Sequence, residues 1–226
     1  MITAAELLGL GRRTGLELGN EDPGIVMGSR YWTDVVRRTP DAKMTLAELS
    51  NMSIGQGETK ASPVQMAIVS AAMANGGKVL QPRLVKKVVN SGDGRLLYPT
   101  DQRSSPDAPT VVCNLAQEGV TPEELDMIRQ GMHDVVHGAG GTARGARIEG
   151  VEIAGKTGSA QTTIRGKKAT HAWFVAFAPY KKPKYALCVT VLGGQAGGKV
   201  AAPIARELID GIFAQEESDK SFCGSL

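Results

Sequence analysis

The run Ile153-Ala-Gly-Lys-Thr-Gly-Ser-Ala-Gln161 brings a cation, two hydroxyls and a glycine together between Lys156 and Ser159. An ammonium facing a cleft attracts a carboxylate, a neighbouring hydroxyl donates or relays a proton, and glycine lets a ligand backbone lie close. The chemistry this suits is recognition of a carboxylate beside an acyl group. Side chains alternate on a strand, so Lys156, Gly158 and Ala160 point one way and Thr157, Ser159 and Gln161 the other. Lys156 and Thr157 then serve one ligand only where the strand borders the sheet, which predicts an edge strand here. At such an edge an extended ligand pairs with the backbone, and the Ser159 N–H becomes a donor for an oxygen that develops negative charge.

Other candidates carry less. His133 and His137 stand one helical turn apart, a spacing that can hold zinc, but no glutamate follows His133 and no third ligand is evident. They are read as a solvated helix face beside Asp126 and Arg129, and no metal or other cofactor is expected. His171 is expected to order a cleft by hydrogen bonding, and Trp173 and Phe174 to pack in the core. Gly138 to Gly145 lacks the G-K-[ST] ending of a phosphate loop and reads as a turn from helix to sheet. Three cysteines, Cys113, Cys188 and Cys223, are too widely spaced to suggest a metal site, and Cys188 reads as a small buried hydrophobe.

The elements that must hold these residues can be read from periodicity and caps. Thr3-Ala-Ala-Glu6 has the form of a capping box, predicting a short helix that stops near Gly9 to Gly11. The next fifty or so residues are so punctuated by Gly and Pro that an irregular connection is predicted. Ser62-Pro63 followed by an apolar run to Ala74 and then Asn75-Gly-Gly77 predicts a buried helix. Leu84 to Val89 and Arg95 to Tyr98 flank a Gly-containing turn and read as a hairpin, and Pro99 to Pro109 reads as a mobile excursion. Thr121-Pro-Glu-Glu124 starts a second helix, with Leu125, Ile128, Met132, Val135 and Val136 on one face. Three extended runs, Gly150 to Thr163, Ala172 to Pro179 and Tyr185 to Leu192, are joined by basic turns at Arg165 to Lys168 and Lys181 to Lys184. They predict an antiparallel meander closed by a helix over Ala201 to Phe213, through Ile204, Leu208, Ile209 and Ile212. Residues 215–226 read as a polar tail. The class is α+β, an antiparallel sheet packed with helices.

At 226 residues and 42% hydrophobic, the chain is long enough to bury a core. Lys and Arg exceed Asp and Glu by 26 to 23, and the basic residues read as scattered, so no nucleic-acid partner is expected. No apolar stretch is long enough to span a bilayer, and since the first residues lack a basic segment followed by an apolar run, no export signal is expected within them.

Several further motifs occur in a fixed order around the opening run. They are Gly9-Leu-Gly-Arg-Arg-Thr-Gly-Leu-Glu-Leu18, Ser53-Ile-Gly-Gln-Gly57, Ser62-Pro-Val-Gln65, Ala74-Asn-Gly-Gly77, Gly131-Met, Gly141-Thr-Ala143, His171-Ala-Trp-Phe-Val175, Ala178-Pro179 and Ala201-Ala-Pro-Ile204. With Lys156-Thr-Gly158 this series resembles the class B penicillin-binding proteins, in particular the elongation type. The resemblance covers residues 7 to about 213. It implies the transpeptidase and serine β-lactamase-like fold over residues 1–214, with an excursion near 99–110. It also implies a peptidoglycan D,D-transpeptidase: a serine attacks the penultimate D-alanine carbonyl of a stem peptide, expels the terminal D-alanine and passes the acyl group to an amine. β-Lactams mimic that substrate. Lys156 and the Ser159 N–H would carry the catalytic contribution, and Thr157, Gly158, Gln161 and His171 would bind substrate. A membrane glycosyltransferase partner and a place at the periplasmic face of the inner membrane are further implications. The position after Gly158, usually threonine in this family, is serine.

The family's nucleophile needs a serine three residues before a lysine, so that one helical turn sets the amine beside the hydroxyl. None of the twelve serines has lysine at that spacing, and no S-x-N sequence occurs. The chain is therefore expected to be the C-terminal part of a transpeptidase domain, inactive alone, with apolar surface left uncovered. The alternatives are a non-catalytic sensor or scaffold that binds cell-wall peptides and, less in keeping with the IGQG and ANGG segments, a serine β-lactamase.

Overall fold

The computed structural model describes residues 1–17, 19–40, 42–85, 88–98 and 109–223. They form two compact units, Met1–Ala72 with Gly77–Val120, and Met73–Gly76 with Thr121–Leu226. Helices combine with antiparallel strand pairs in both, as expected for an α+β chain.

In the first unit α1 spans Ile2–Leu7 with Met1 at its N-cap, so Thr3 lies inside the helix and makes no cap. Gly9 and Gly11, at φ of +89° and +75°, end it. The segment predicted as irregular is more ordered than its Gly and Pro content suggests. A π-helical turn at Trp32–Val36 leaves Trp32 only 1% exposed. Its indole N–H donates to Glu58 Oε2 at 2.5 Å, and the Arg37 guanidinium lies 4.6 Å above the ring. Helix α2, Leu46–Ser53, carries a complete capping box between Thr45 and Glu48, a signal legible in the sequence but passed over. Leu46 and Ile54 beside it are 85% and 73% exposed.

Helix α3, Pro63–Ala74, starts as predicted. Gln65 is 1% exposed, yet its amide oxygen accepts from Ser62 N–H at 2.8 Å and its Nε2 donates to the carbonyls of Arg12 and Pro23, each at 2.9 Å. A buried amide satisfied in this way ties the early loop to the helix start. Strands β1 (Lys78–Leu80), β2 (Val88–Val89), β3 (Leu96–Tyr98) and β4 (Val111–Asn114) follow. β2 and β3 form the expected hairpin, while the β1–β4 pair was not foreseen, its strands being too short for periodicity to register. The excursion expected near 99–110 lies outside the described residues up to Ala108.

The second unit is built on α4, Pro122–His137, whose capping box joins Thr121 and Glu124. Leu125, Met132 and Val136 are buried, but Ile128 is 48% exposed, because Arg129 takes part of the inner face. Arg129 donates to the carbonyls of Met73, Ala74 and Tyr180 at 3.1, 2.6 and 2.9 Å, and so is not the solvated residue expected. Strands β5 (Ala154–Ile164), β6 (Lys167–Ala178) and β7 (Tyr185–Val191) form the predicted antiparallel meander in that order, which among the described residues leaves β5 at one edge and β7 at the other.

Helix α5, Ala201–Cys223, covers one face of this sheet. Ala201, Ala202, Ala205 and Ile209 make the contact, while Ile204 and Leu208 stay 39% and 50% exposed. Small side chains let the helix approach Phe174 and Ala176 closely, so the buried face differs from the isoleucine stripe expected. The polar tail expected at 215–226 instead continues α5 as far as Cys223. Glu216 explains part of this, since its carboxylate accepts from Lys184 Nζ at 2.8 Å and from the Tyr185 hydroxyl. Among the described residues no helix is long and apolar enough to cross a membrane.

Candidate functional site

Strand β5 enters the site from the core. Ile153 and Ala154 have no solvent exposure, and Gly155 is packed so that an added Cβ would lie 2.4 Å from the Phe174 ring. One residue later Lys156 is exposed. The ladder pairs Thr157 with Phe174, Gly158 with Trp173, Ser159 with Ala172 and Gln161 with Thr170. The Thr170 carbonyl accepts from Gln195 N–H at 3.3 Å, a residue that follows β7. In an antiparallel sheet the N–H and C=O of one residue point to the same side and alternate along the strand. Thr170 and Ala172 therefore direct theirs toward β7, and their partners Gln161 and Ser159, with Thr157, direct theirs off the outer edge of β5.

That edge resolves the alternation problem. Lys156 projects from one face and Thr157 from the other, but the lysine side chain folds over the rim and its Nζ donates to the Thr157 carbonyl at 2.6 Å. The ammonium thus lies along the same edge as the Ser159 N–H. On the opposite face the Thr157 hydroxyl is 2.8 Å from that of Thr142.

Two glycines make the close packing behind this edge possible. A Cβ on Gly197 would stand 2.2 Å from the Trp173 carbonyl oxygen and 2.6 Å from that of Gly158. A Cβ on Gly198 would stand 2.0 Å from the Thr142 carbonyl oxygen. Backbone atoms of a sheet cannot withdraw cheaply, so the segment before α5 must be glycine to press on the Lys156–Ser159 stretch. His171 pairs with Ala160 and accepts at Nδ1 from Gly193 N–H at 3.2 Å, which fastens the start of the same segment to β6.

The approach to β5 is anchored by the C-terminus of α4. Arg147 donates through Nε to the Val136 carbonyl at 2.8 Å and through Nη2 to those of His137 and Gly138 at 2.9 and 3.2 Å. It satisfies the carbonyls a helix end leaves open and sets a cation at the negative end of the dipole. The Ile153 N–H donates to His137 Nε2 at 3.1 Å. Burial pushes the His137 imidazole below its ordinary value, and the charges of His133 and Arg147 push the same way. His133 stacks on His137 at 4.6 Å and lies 4.7 Å from Tyr180, with its side chain 19% exposed. The two histidines are thus packed against the sheet, not on a solvated face as the polar neighbours Asp126 and Arg129 suggested. Among the described residues no cluster of His, Cys, Asp or Glu could hold a metal ion.

Lys156, Thr157, Gly158 and Ser159 share the edge, and His171 adjoins it one pair farther along. Gln161 lies farther along the same edge, beside an open groove of about 500 Å³ that it lines with Thr162, Thr163, Lys168, Ala169 and Thr170. Cys188, half-buried on β7, has its thiol pushed up to about 12 by burial. Sequence reading gave no role to Thr142, Arg147, Gly197 or Gly198. The glycines carried a signal, a Gly194 to Gly198 cluster directly before a helix, but close approach to a distant strand cannot be read from spacing.

A model of the penicillin binding protein transpeptidase domain matches residues 3–210. The peptidoglycan D,D-transpeptidase MrdA of Acinetobacter baumannii is 32% identical over 214 residues, 89% of this chain and 29% of that protein. The solved structure of Pseudomonas aeruginosa PBP2 in complex with WCK 5153 is similar at a TM-score of 0.72 and 34% identity, covering 93% of this chain and 42% of that one. PBP2 of Helicobacter pylori, solved in complex with MreC, is similar at 0.67 and 26% identity, over 91% of this chain and 34% of that one. The chain spans less than half the length of each, and its fold is that of their transpeptidase domains. On the family match over residues 3–210, the chain belongs to the penicillin-binding protein transpeptidase family.

Proposed function

We propose that the outer edge of β5 is the carboxylate-recognising wall of a peptidoglycan D,D-transpeptidase acting on stem peptides that end in D-alanine. The observation that carries this reading is the Lys156 ammonium folded over the rim, on the edge toward which the Ser159 N–H points. Lys156 supplies positive charge to the substrate carboxylate, aided by the hydroxyls of Thr157 and Ser159. Gly158 lets the peptide backbone lie close, Gln161 contacts it farther along, and His171 holds the neighbouring segment in place. When a serine attacks the penultimate carbonyl, the Ser159 N–H donates to the oxygen as it becomes an oxyanion. β-Lactams carry a carboxylate and a reactive carbonyl in the same relation and use the same wall.

The attacking serine is not supplied by this chain, which contains neither S-x-x-K nor S-x-N. Residues 1–214 are read as one portion of a transpeptidase domain. A membrane glycosyltransferase partner and a position at the periplasmic face of the inner membrane belong to the same proposal. The missing serine also favours a second reading, a non-catalytic domain that binds cell-wall peptides. Sequencing upstream of Met1 separates the two: an open frame running through S-x-N and S-x-x-K supports the transpeptidase, and an in-frame stop supports the binding domain.

Fluorescent penicillin tests the wall itself. Reversible binding is expected by anisotropy, weakened about tenfold or more in Lys156→Ala through loss of a charge-assisted contact, with no label surviving denaturation. Equal binding by the variant would overturn the role of Lys156, and a denaturation-stable label would overturn the absence of a nucleophile.

A further inference from the structure

Thr142 is an exposed residue of the loop between α4 and β5, yet its backbone is held from two sides. On one side the loop meets the end of α4. Ala143, with no solvent exposure, donates its N–H to the Val135 carbonyl at 2.9 Å, and Gly141 donates to that of Gly138 at 3.2 Å. A Cβ on Gly141 would stand 2.5 Å from the Val135 carbonyl oxygen, so the loop lies directly on the helix. On the other side is Gly198, which presses on the Thr142 carbonyl and where a Cβ would also lie 3.5 Å from Thr157 Cγ2. One segment thus backs both threonines, and their hydroxyls stand 2.8 Å apart. A threonine side chain has one heavy-atom torsion, stiffened by branching at Cβ, so holding the two backbones holds much of this contact.

The contact has a direction. A hydroxyl carries one proton to donate and lone pairs to accept, and either threonine can be the donor here. With Thr157 donating, its only proton points at Thr142. A ligand beside it then meets lone pairs, which suit an amide N–H and repel a carboxylate. With Thr142 donating, the Thr157 proton is left for the ligand, and the first bond polarises the second. An ionised carboxylate only accepts, so it fits the second arrangement alone. The Lys156 ammonium, bonded to the Thr157 carbonyl, brings positive charge to the same edge and favours the same ligand.

We propose that Thr142 is a positioning residue for carboxylate recognition: its hydroxyl donates to Thr157 Oγ1 and so directs the single Thr157 proton to the ligand. The inference rests on the reading of the β5 edge given above and adds to it a residue that acts only through Thr157. Neither residue type nor spacing announces it, since Thr142 stands 15 residues before Thr157 in the chain. Removing the Thr142 hydroxyl leaves Thr157 its proton but takes away the donor that polarises it and fixes its direction.

The test measures dissociation constants of acetyl-D-Ala-D-Ala and of its C-terminal amide for this chain and for T142V, T142S, T157V and T142V/T157V. Valine keeps the branched shape and removes the hydroxyl. T142V should weaken the acid about fivefold, the scale of one net hydrogen bond, and change the amide little. T142S, which keeps the donor, should bind both ligands as the parent does. T157V should also weaken the acid, and in that background T142V should add nothing. Acid binding unchanged in T142V, while still lost in Lys156→Ala, would overturn this inference alone. So would equal weakening of acid and amide, which marks a merely structural role, or a further loss in the double variant, which marks direct contact of Thr142 with the ligand. Acid binding that ignores Lys156→Ala would instead overturn the reading of the edge on which the inference rests.

Discussion

Strand β5 contains two regions of opposite character separated by one peptide bond. Up to Gly155 it is core: Ala154 is fully buried, as is Ile153 just before the strand, whose N–H is tied to His137. From Lys156 onward it is an edge, with polar side chains exposed and alternate backbone groups directed off the sheet. The first region supplies burial and tight packing, and the second carries the polar groups proposed to meet a ligand. The difference teaches where an edge proposed for recognition gets its precision. Lys156 and Ser159 inherit their positions from Phe174, Gly197 and the α4 terminus, so the residues that fix the geometry of the proposed site are not those proposed to touch a ligand.

The comparison breaks most completely where the support itself is removed. Gly197→Ala forces a methyl against the Trp173 and Gly158 carbonyls, and a loss of about 3 kcal/mol is expected from overpacking against backbone. Urea denaturation checks it, with Gly131→Ala as a control. Gly131 lies inside α4 with nothing within 4 Å of an added Cβ, so that change should stabilise by about 0.5–1 kcal/mol. Arg147→Ala comes next: it strips three carbonyls at the end of α4 of their donor, and a loss of about 2 kcal/mol is expected in the same assay. Lysine at 147 should restore only part, because one ammonium cannot reproduce the planar fork.

A smaller effect follows from His137. Its proton affinity in the folded chain is below the ordinary value of 6.5, chiefly through burial. As pH falls through 6.5 the unfolded chain takes up the proton first, so the stability due to this group is complete above 6.5 and is lost as pH drops toward the lower folded value. Melting temperature should decline over that interval, and His137→Gln, which can still accept from Ile153, should flatten the decline. A slope unchanged in the variant would show that other groups set it.

Much of this frame was legible in the sequence. Thr121-Pro-Glu-Glu124 and Ser62-Pro63 announce their helices because a cap is a local event, and the edge position of Lys156 followed from side-chain alternation. The missed features are non-local. Ile204 and Leu208 read as a buried stripe but are exposed, since alanines let α5 approach the sheet more closely. Arg129 reads as solvated, yet its long side chain reaches carbonyls of residues far away in sequence. Gly197 shows its purpose only once the strand beneath it is known. The tail went unrecognised as helix because polar residues have no apolar period, although Glu216 pins it to Lys184 and Tyr185.

The contrast between support and edge is tested most directly by following backbone amide resonances as acetyl-D-Ala-D-Ala is added to this chain, and then to Lys156→Ala. The dipeptide should shift Thr157, Ser159 and Gln161, whose N–H groups point off the edge, and leave Ile153 and Ala154 unmoved. Its C-terminal amide should bind about tenfold more weakly, and the variant, with stability within about 0.5 kcal/mol of the parent, should lose that discrimination. Shifts centred away from β5, or equal affinity for the carboxylate and the amide, would contradict a carboxylate-recognising edge.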